Sequence, residues 1–254
     1  MIAFETFVEH SKSNSIQSID ISSFSAQDVL NIILQRSEIV NDQHRPGSYI
    51  RKWMEGDSSP ALGLVDKMGD ELVYRALAII ELEYLEIAPI IDLIKPKHVV
   101  DIGCGYAFFD LFLFRDHASD FSLIDLESND ERHFGFAEVG AAYSSLLVAK
   151  DFLMKNGVPA SDITCVNPKV LDPLNLPACN LAVSFLSCGF HYPWETYDTF
   201  FQKNVNRGGG IILDVRGRKV KRALNDLRTL GRTCVVEKSA NGNARRILVA
   251  RSGI

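Results

Sequence analysis

Asp101, Gly103 and Gly105 stand two apart, between the apolar pair Val99-Val100 and a second apolar run that opens at Phe108. Two glycines at this spacing let the chain turn tightly and let a ligand approach with no Cβ in the way. A helix that begins there turns its positive end toward that ligand. Asp101 sits where a carboxylate can receive an ammonium group or hydroxyls, and Cys104, between the glycines, is a small residue that a tight turn accommodates. A dinucleotide loop would place a third glycine at position 108, where Phe108 stands, and a phosphate-cradling loop would need Gly-Lys-Ser/Thr, which the chain lacks. A tight strand–helix turn with no ligand is the remaining alternative.

Asp125 follows 20 residues after Gly105, at the end of the next apolar run, with Leu126 beside it. An acid in that place can accept both hydroxyls of a ribose. Glu127 takes the role if the register slips by two. The segment 184–197 holds Phe190, His191, Tyr192 and Trp194. His191 is the candidate general base, since an imidazole titrates near working pH. Its alternative is a histidine packed under the loop. Tyr192 and Trp194 either stack against a substrate ring or plug the core. The polar and aromatic connection 128–143 carries His133, Glu138 and Tyr143, reserve candidates for substrate contact within a lid or a solvated loop. The histidines are not paired with acids at ligand spacing, so no metal site is expected.

The elements that must position these groups follow from the pattern. Strands are expected at 98–102, 121–125, 163–166, 181–186 and 211–215, and helices at 108–115, 141–156, 195–205 and 219–230. This alternation argues for a parallel sheet covered by helices. Segments 233–238 and 245–249 are joined through Asn241-Gly242, a hairpin signal because both residues tolerate positive φ. Residues 1–90 show no such alternation. They read as a helical cap on the substrate side, with helices near 20–30, 48–55, 62–74 and 71–93, the last broken or bent near Pro89. Residues 91–254 form the ligand-binding domain.

Asp-x-Gly-x-Gly after a strand, a Gly-Gly run before strand five and a closing hairpin resemble the class I S-adenosylmethionine (SAM) methyltransferases. The resemblance implies an α/β fold, a Rossmann-like sheet of five parallel-type strands plus a C-terminal hairpin with one antiparallel strand, carrying an N-terminal helical cap. It implies SAM as cofactor, with Asp101, Gly103, Cys104 and Gly105 at the methionyl end and Asp125 and Leu126 at the ribose. It places the adenine near Asn167, where the family's usual acid is missing, and the reactive half of SAM beside Ser184, Phe185 and Leu186. The chain also resembles a bacterial group labelled sugar O-methyltransferases. Methyl transfer to a small hydroxylated acceptor, such as a sugar or sugar conjugate, is the expected activity. An NAD(P)-linked oxidoreductase and a non-catalytic methyltransferase-like module are the rivals.

Composition agrees with a small-molecule partner. The 254 residues are 46% hydrophobic with a net charge of −5, so no face basic enough for nucleic acid is expected. The apolar run 76–94 is broken by four acids, which argues against a membrane span. Five scattered cysteines fit reduced thiols and a cytoplasmic protein. The oligomeric state is left open, a homodimer included.

Overall fold

The computed structural model describes residues 2–45, 47–127, 144–238 and 242–251. Its helices, in chain order, are α1 (Phe4–His10), α2 (Asn14–Gln17), α3 (Ala26–Gln35), α4 (Gly47–Met54), α5 (Ser59–Met68), α6 (Asp70–Ile94), α7 (Phe108–His117), α8 (Leu146–Lys155), α9 (Asp198–Lys203) and α10 (Val220–Asp226). Its strands are β1 (His98–Ile102), β2 (Asp120–Ile124), β3 (Ile163–Val166), β4 (Cys179–Ser184), β5 (Val205–Arg216), β6 (Gly231–Lys238) and β7 (Ala244–Arg251). They form one sheet in the order β3-β2-β1-β4-β5-β7-β6. The pairs from β3 to β5 are parallel, and β7 is antiparallel to both β5 and β6.

Alternation along the strands divides the interior in two. Val99, Leu181 and Ile212 face one way, into a core shared with α3, α5, α6, α7 and α8. Val100, Ile102, Ala182 and Ile211 face the other way, toward α9, α10 and the aromatics Tyr192, Trp194, Tyr197 and Phe201. The N-terminal helices therefore share one continuous apolar core with the sheet. Ser25 caps α3 reciprocally with Asp28, and Asp28 also accepts a 2.7 Å hydrogen bond from the Tyr106 hydroxyl. The cap thus ties the glycine turn to an N-terminal helix.

Two local expectations change. The helix through Pro89 is continuous over 25 residues. Proline removes the hydrogen bond to residue 85, but Leu85 is on the exposed side, where water can serve the freed carbonyl. The Gly208-Gly209-Gly210 run lies inside β5, which begins at Val205. Among the described residues, no helix is long and apolar enough to cross a membrane.

Candidate active site

The order reverses between β1 and β4, and the carboxyl ends of these strands open into a cleft, the usual ligand position in such sheets. Counting its open mouth, the cleft holds about 920 Å³ of space free of protein atoms. Asp101, Gly103, Cys104, Gly105, Asp125, Phe185, Leu186 and His191 line it together. These eight of the sequence-predicted residues are thus gathered from three strand ends.

Gly103 has φ +77°, and an added Cβ would meet the Ser187 side chain at 2.0 Å. Gly105 has φ +58°, and its Cβ would come within 3.0 Å of the Gln35 amide oxygen. Gly103 needs glycine for conformation and for space, and Gly105 needs it for its left-handed conformation, since the end of the Gln35 side chain can give way. The N–H groups of Gly103 and Cys104 donate to the Ile124 carbonyl, 2.7 and 3.2 Å away, which fixes the turn against β2. Asp125 accepts from the N–H of Gly105 at 3.0 Å and of Glu127 at 2.9 Å. One carboxylate therefore holds the glycine turn and lines the cleft. Burial pushes its pKa up, while those N–H donors pull it back. Glu127 accepts from the N–H of Leu146 and from Asn167 Nδ2, and it does not line the cleft.

Beneath the turn, Asp101 is buried, and its Oδ1 has no hydrogen-bond partner among the described residues. Asp110, in the first turn of α7, is wholly buried against it. Burial pushes both acids up, Asp110 to about 7, and one proton between them avoids two buried charges. An acid with a higher pKa folded than unfolded gives a contribution that is complete below the unfolded value, about 4, and is lost as pH rises through the folded value. Each such proton changes stability by ~1.4 kcal/mol per pH unit in that window. Asp110→Asn is therefore expected to flatten the loss of stability between about pH 4 and pH 7. Urea midpoints of both proteins across that range check it, and parallel curves would refute it.

Cys104 is a half-buried thiol whose pKa burial drives well up, so it is not a nucleophile here. Ser184 Oγ donates to the Ile102 carbonyl at 2.6 Å and accepts from the Cys188 N–H at 2.9 Å, which anchors the loop after β4. The His191 N–H donates to the Ser187 carbonyl at 2.7 Å, and its ring meets Phe190 edge-on. Ser184, Leu126 and Asn167 do not line the cleft; Asn167 Nδ2 donates to the Leu126 carbonyl at 3.3 Å. Tyr192 and Trp194 are also away from it. They are buried in the core on the opposite sheet face, because the loop folds back and packs its aromatics against α9. His133, Glu138 and Tyr143 lie outside the described residues.

The sequence reading missed the far end of the cleft. Gln35, Arg36 and Glu83 from the N-terminal helices line it, with Ser187 and Arg246. Arg246 is bidentate to Asp214, 2.9 Å on each arm, and its guanidinium lies 4.3 Å from the Phe185 ring centroid. Glu83 bridges the pair to Arg36, accepting from Arg36 Nη1 at 3.1 Å and standing 3.7 Å from Arg246 Nη2. Burial works against the Arg36 charge, but Glu83 and Glu38 outweigh it and hold the guanidinium protonated.

No protein-family model and no curated protein sequence matches the chain. Among solved structures it is similar to a protein of Nostoc punctiforme provisionally named an O-methyltransferase. That match has 11% identity over 88% of this chain and 72% of the other, with a TM-score of 0.52. It is also similar to the pyocyanin biosynthetic protein PhzM, at 13% identity over 86% of this chain and 72% of the other, with a TM-score of 0.51. At these identities the likeness is one of fold. The chain has the class I methyltransferase fold, with its parallel strands and its antiparallel β7 inserted beside β5.

Proposed function

We propose that the protein is a SAM-dependent O-methyltransferase acting on a small hydroxylated acceptor, with a sugar or sugar conjugate as the favoured class. The observation that carries this reading is the convergence of Gly103, Gly105, Asp125 and His191 on one cleft. The residues present fit the cofactor. The glycine turn brings backbone without side chains to the cleft, Asp101 lines the cleft beside it, and Asp125 offers a carboxylate in the place for a ribose. When bound, SAM supplies an activated methyl group on a sulfonium. The chain has to align the acceptor oxygen and remove its proton. Asp125 and the glycine turn orient the cofactor. Phe185 and Phe109, with ring centroids 4.5 Å apart, form an apolar wall that excludes water. His191 takes the hydroxyl proton. Residues 1–90 act as a cap on the acceptor side, since Gln35, Arg36 and Glu83 come from them. A cytoplasmic setting belongs to the same proposal, in keeping with five unpaired cysteines.

Calorimetric titration with SAM, its demethylated product S-adenosylhomocysteine (SAH) and NADH tests the reading. SAM and SAH should bind and NADH should not. NADH binding alone would favour an oxidoreductase. His191→Ala should lower kcat about 100-fold, the usual size of a general-base contribution, while SAH affinity stays within about twofold. An unchanged rate would remove His191 from the chemistry.

A further inference from the structure

We propose that the acceptor carries an oxyanion, a carboxylate or a phosphate, and that Arg36 receives it. This inference rests on the methyltransferase reading above and names the acceptor's chemical class, a hydroxylated acid or a phosphorylated hydroxy compound.

Arg36 follows the last turn of α3, lines the cleft and is 7% exposed. Its Nη1 is engaged by Glu83. Its Nε lies 2.7 Å from Glu38 Oε1, an ionic contact outside hydrogen-bonding direction. Its Nη2 is buried with no hydrogen-bond partner among the described residues. A buried guanidinium nitrogen without an acceptor is rare in a finished structure, and its two N–H groups match the geometry of an oxyanion. The neighbouring acids do not fill that need. Asp214 is taken by Arg246, and Glu83 is shared between the two guanidiniums.

Placement assigns the anion to the acceptor. Asp125 follows β2 and the glycine turn follows β1, so the cofactor end of the cleft is the β2–β1 end. Phe185 follows β4, Asp214 is on β5 and Arg246 is on β7, so the Arg36–Glu83–Arg246 group belongs to the other end. His191 and Ser187, on the loop after β4, stand between the two. An acceptor that presents its hydroxyl to His191 would reach Arg36 with its other polar group. Arg246 and Glu83 are positioning residues in this arrangement.

The test reads arginine Nε–Hε NMR signals of SAH-saturated protein during titration with acetate, inorganic phosphate and neutral acetamide at constant ionic strength. The expected result is a saturable shift at Arg36 with acetate or phosphate, none with acetamide, and at least tenfold weaker anion binding to Arg36→Gln. Arg36→Lys, which keeps the charge, should retain more of the binding than Arg36→Gln does. Preference for acetate points to a hydroxy acid, and preference for phosphate points to a phosphorylated acceptor. Equal responses to acetate and acetamide in the wild type would overturn the inference, whatever the folding of the variants. So would a tenfold loss of SAH affinity in Arg36→Gln with unchanged affinity for 5′-methylthioadenosine, which lacks the cofactor's carboxylate. If SAH does not bind the wild type, the methyltransferase reading fails. The anion titration on the free protein then still decides whether Arg36 is an oxyanion site.

Discussion

Asp125→Ala is expected to weaken SAM and SAH binding by about 100-fold each. The carboxylate has two tasks. It accepts the Gly105 and Glu127 N–H groups, which fixes the glycine turn, and it lines the cleft where the cofactor ribose would lie. Hydrogen bonds to a charged group contribute ~1.5–3 kcal/mol each, so losing two ribose bonds alone accounts for a hundredfold change, about 2.7 kcal/mol. Asp125→Asn tests the charge with the shape kept. Its one amide oxygen can serve only one of the two N–H groups, because Gly105 and Glu127 donate to different carboxylate oxygens, so stability should fall modestly while affinity falls about tenfold. Acid should act in the same direction. Burial raises the Asp125 pKa, so the carboxylate protonates at a higher pH than an exposed aspartate would. Affinity should therefore decline as pH falls. Calorimetry on the three proteins settles the matter. Less than a threefold loss in Asp125→Ala would show that the ribose is held elsewhere.

The legible part of this molecule is the part written locally. β1 at 98–102 and β3 at 163–166 occupy the expected residues, since turn residues punctuate both. The helix at 108 and the antiparallel pairing of β6 with β7 were likewise signalled by short-range pattern, though Asn241 of the expected turn lies outside the described residues. Asp101, Gly103, Gly105 and Asp125 could be found because a strand, a turn, a helix and a second strand place them at fixed spacing. Arg36 and Glu83 could not. Arg36 reads as an ordinary surface cation after a helix and Glu83 as one acid of an amphipathic helix. Only tertiary packing of the N-terminal helices on the sheet brings them to the cleft. Tyr192 and Trp194 show the reverse limit, since an aromatic loop has the same composition whether it lines a site or fills a core. One long-range signal was present. Arg246 is the lone charge on its face of β7, Asp214 follows Gly210 and Ile212 on one face of β5, and the two stand opposite each other in the β5–β7 register. Two such charges of opposite sign suggest a cross-strand pair.

That pair carries the largest expected effect on stability. Asp214 is wholly buried and Arg246 is 1% exposed. Asp214→Ala would leave the Arg246 guanidinium in the core with only Glu83, 3.7 Å away. Removing one partner of a buried ion pair costs ~3–5 kcal/mol, because the other charge stays desolvated and unanswered. For a chain of this size that lowers Tm by roughly 10 °C. Replacing both partners, as Asp214→Leu with Arg246→Met, should recover most of the loss, since an apolar pair of similar volume avoids the desolvation of both charges. Thermal melts of the single and double variants measure the coupling. The loss should also be uneven across the cleft. Asp214 fixes Arg246, Arg246 faces Glu83, and Glu83 binds Arg36, so the acceptor end should loosen. The glycine turn and Asp125 hang on β1 and β2, three strands and more from β7, so SAH affinity should change by no more than about twofold in the folded variant. A large loss of SAH affinity in Asp214→Ala would mean that the charged network supports the cofactor end as well. A drop of less than about 1 kcal/mol in stability would mean that water reaches Arg246, and that the far end of the cleft is not the dry, prearranged charge site its geometry describes.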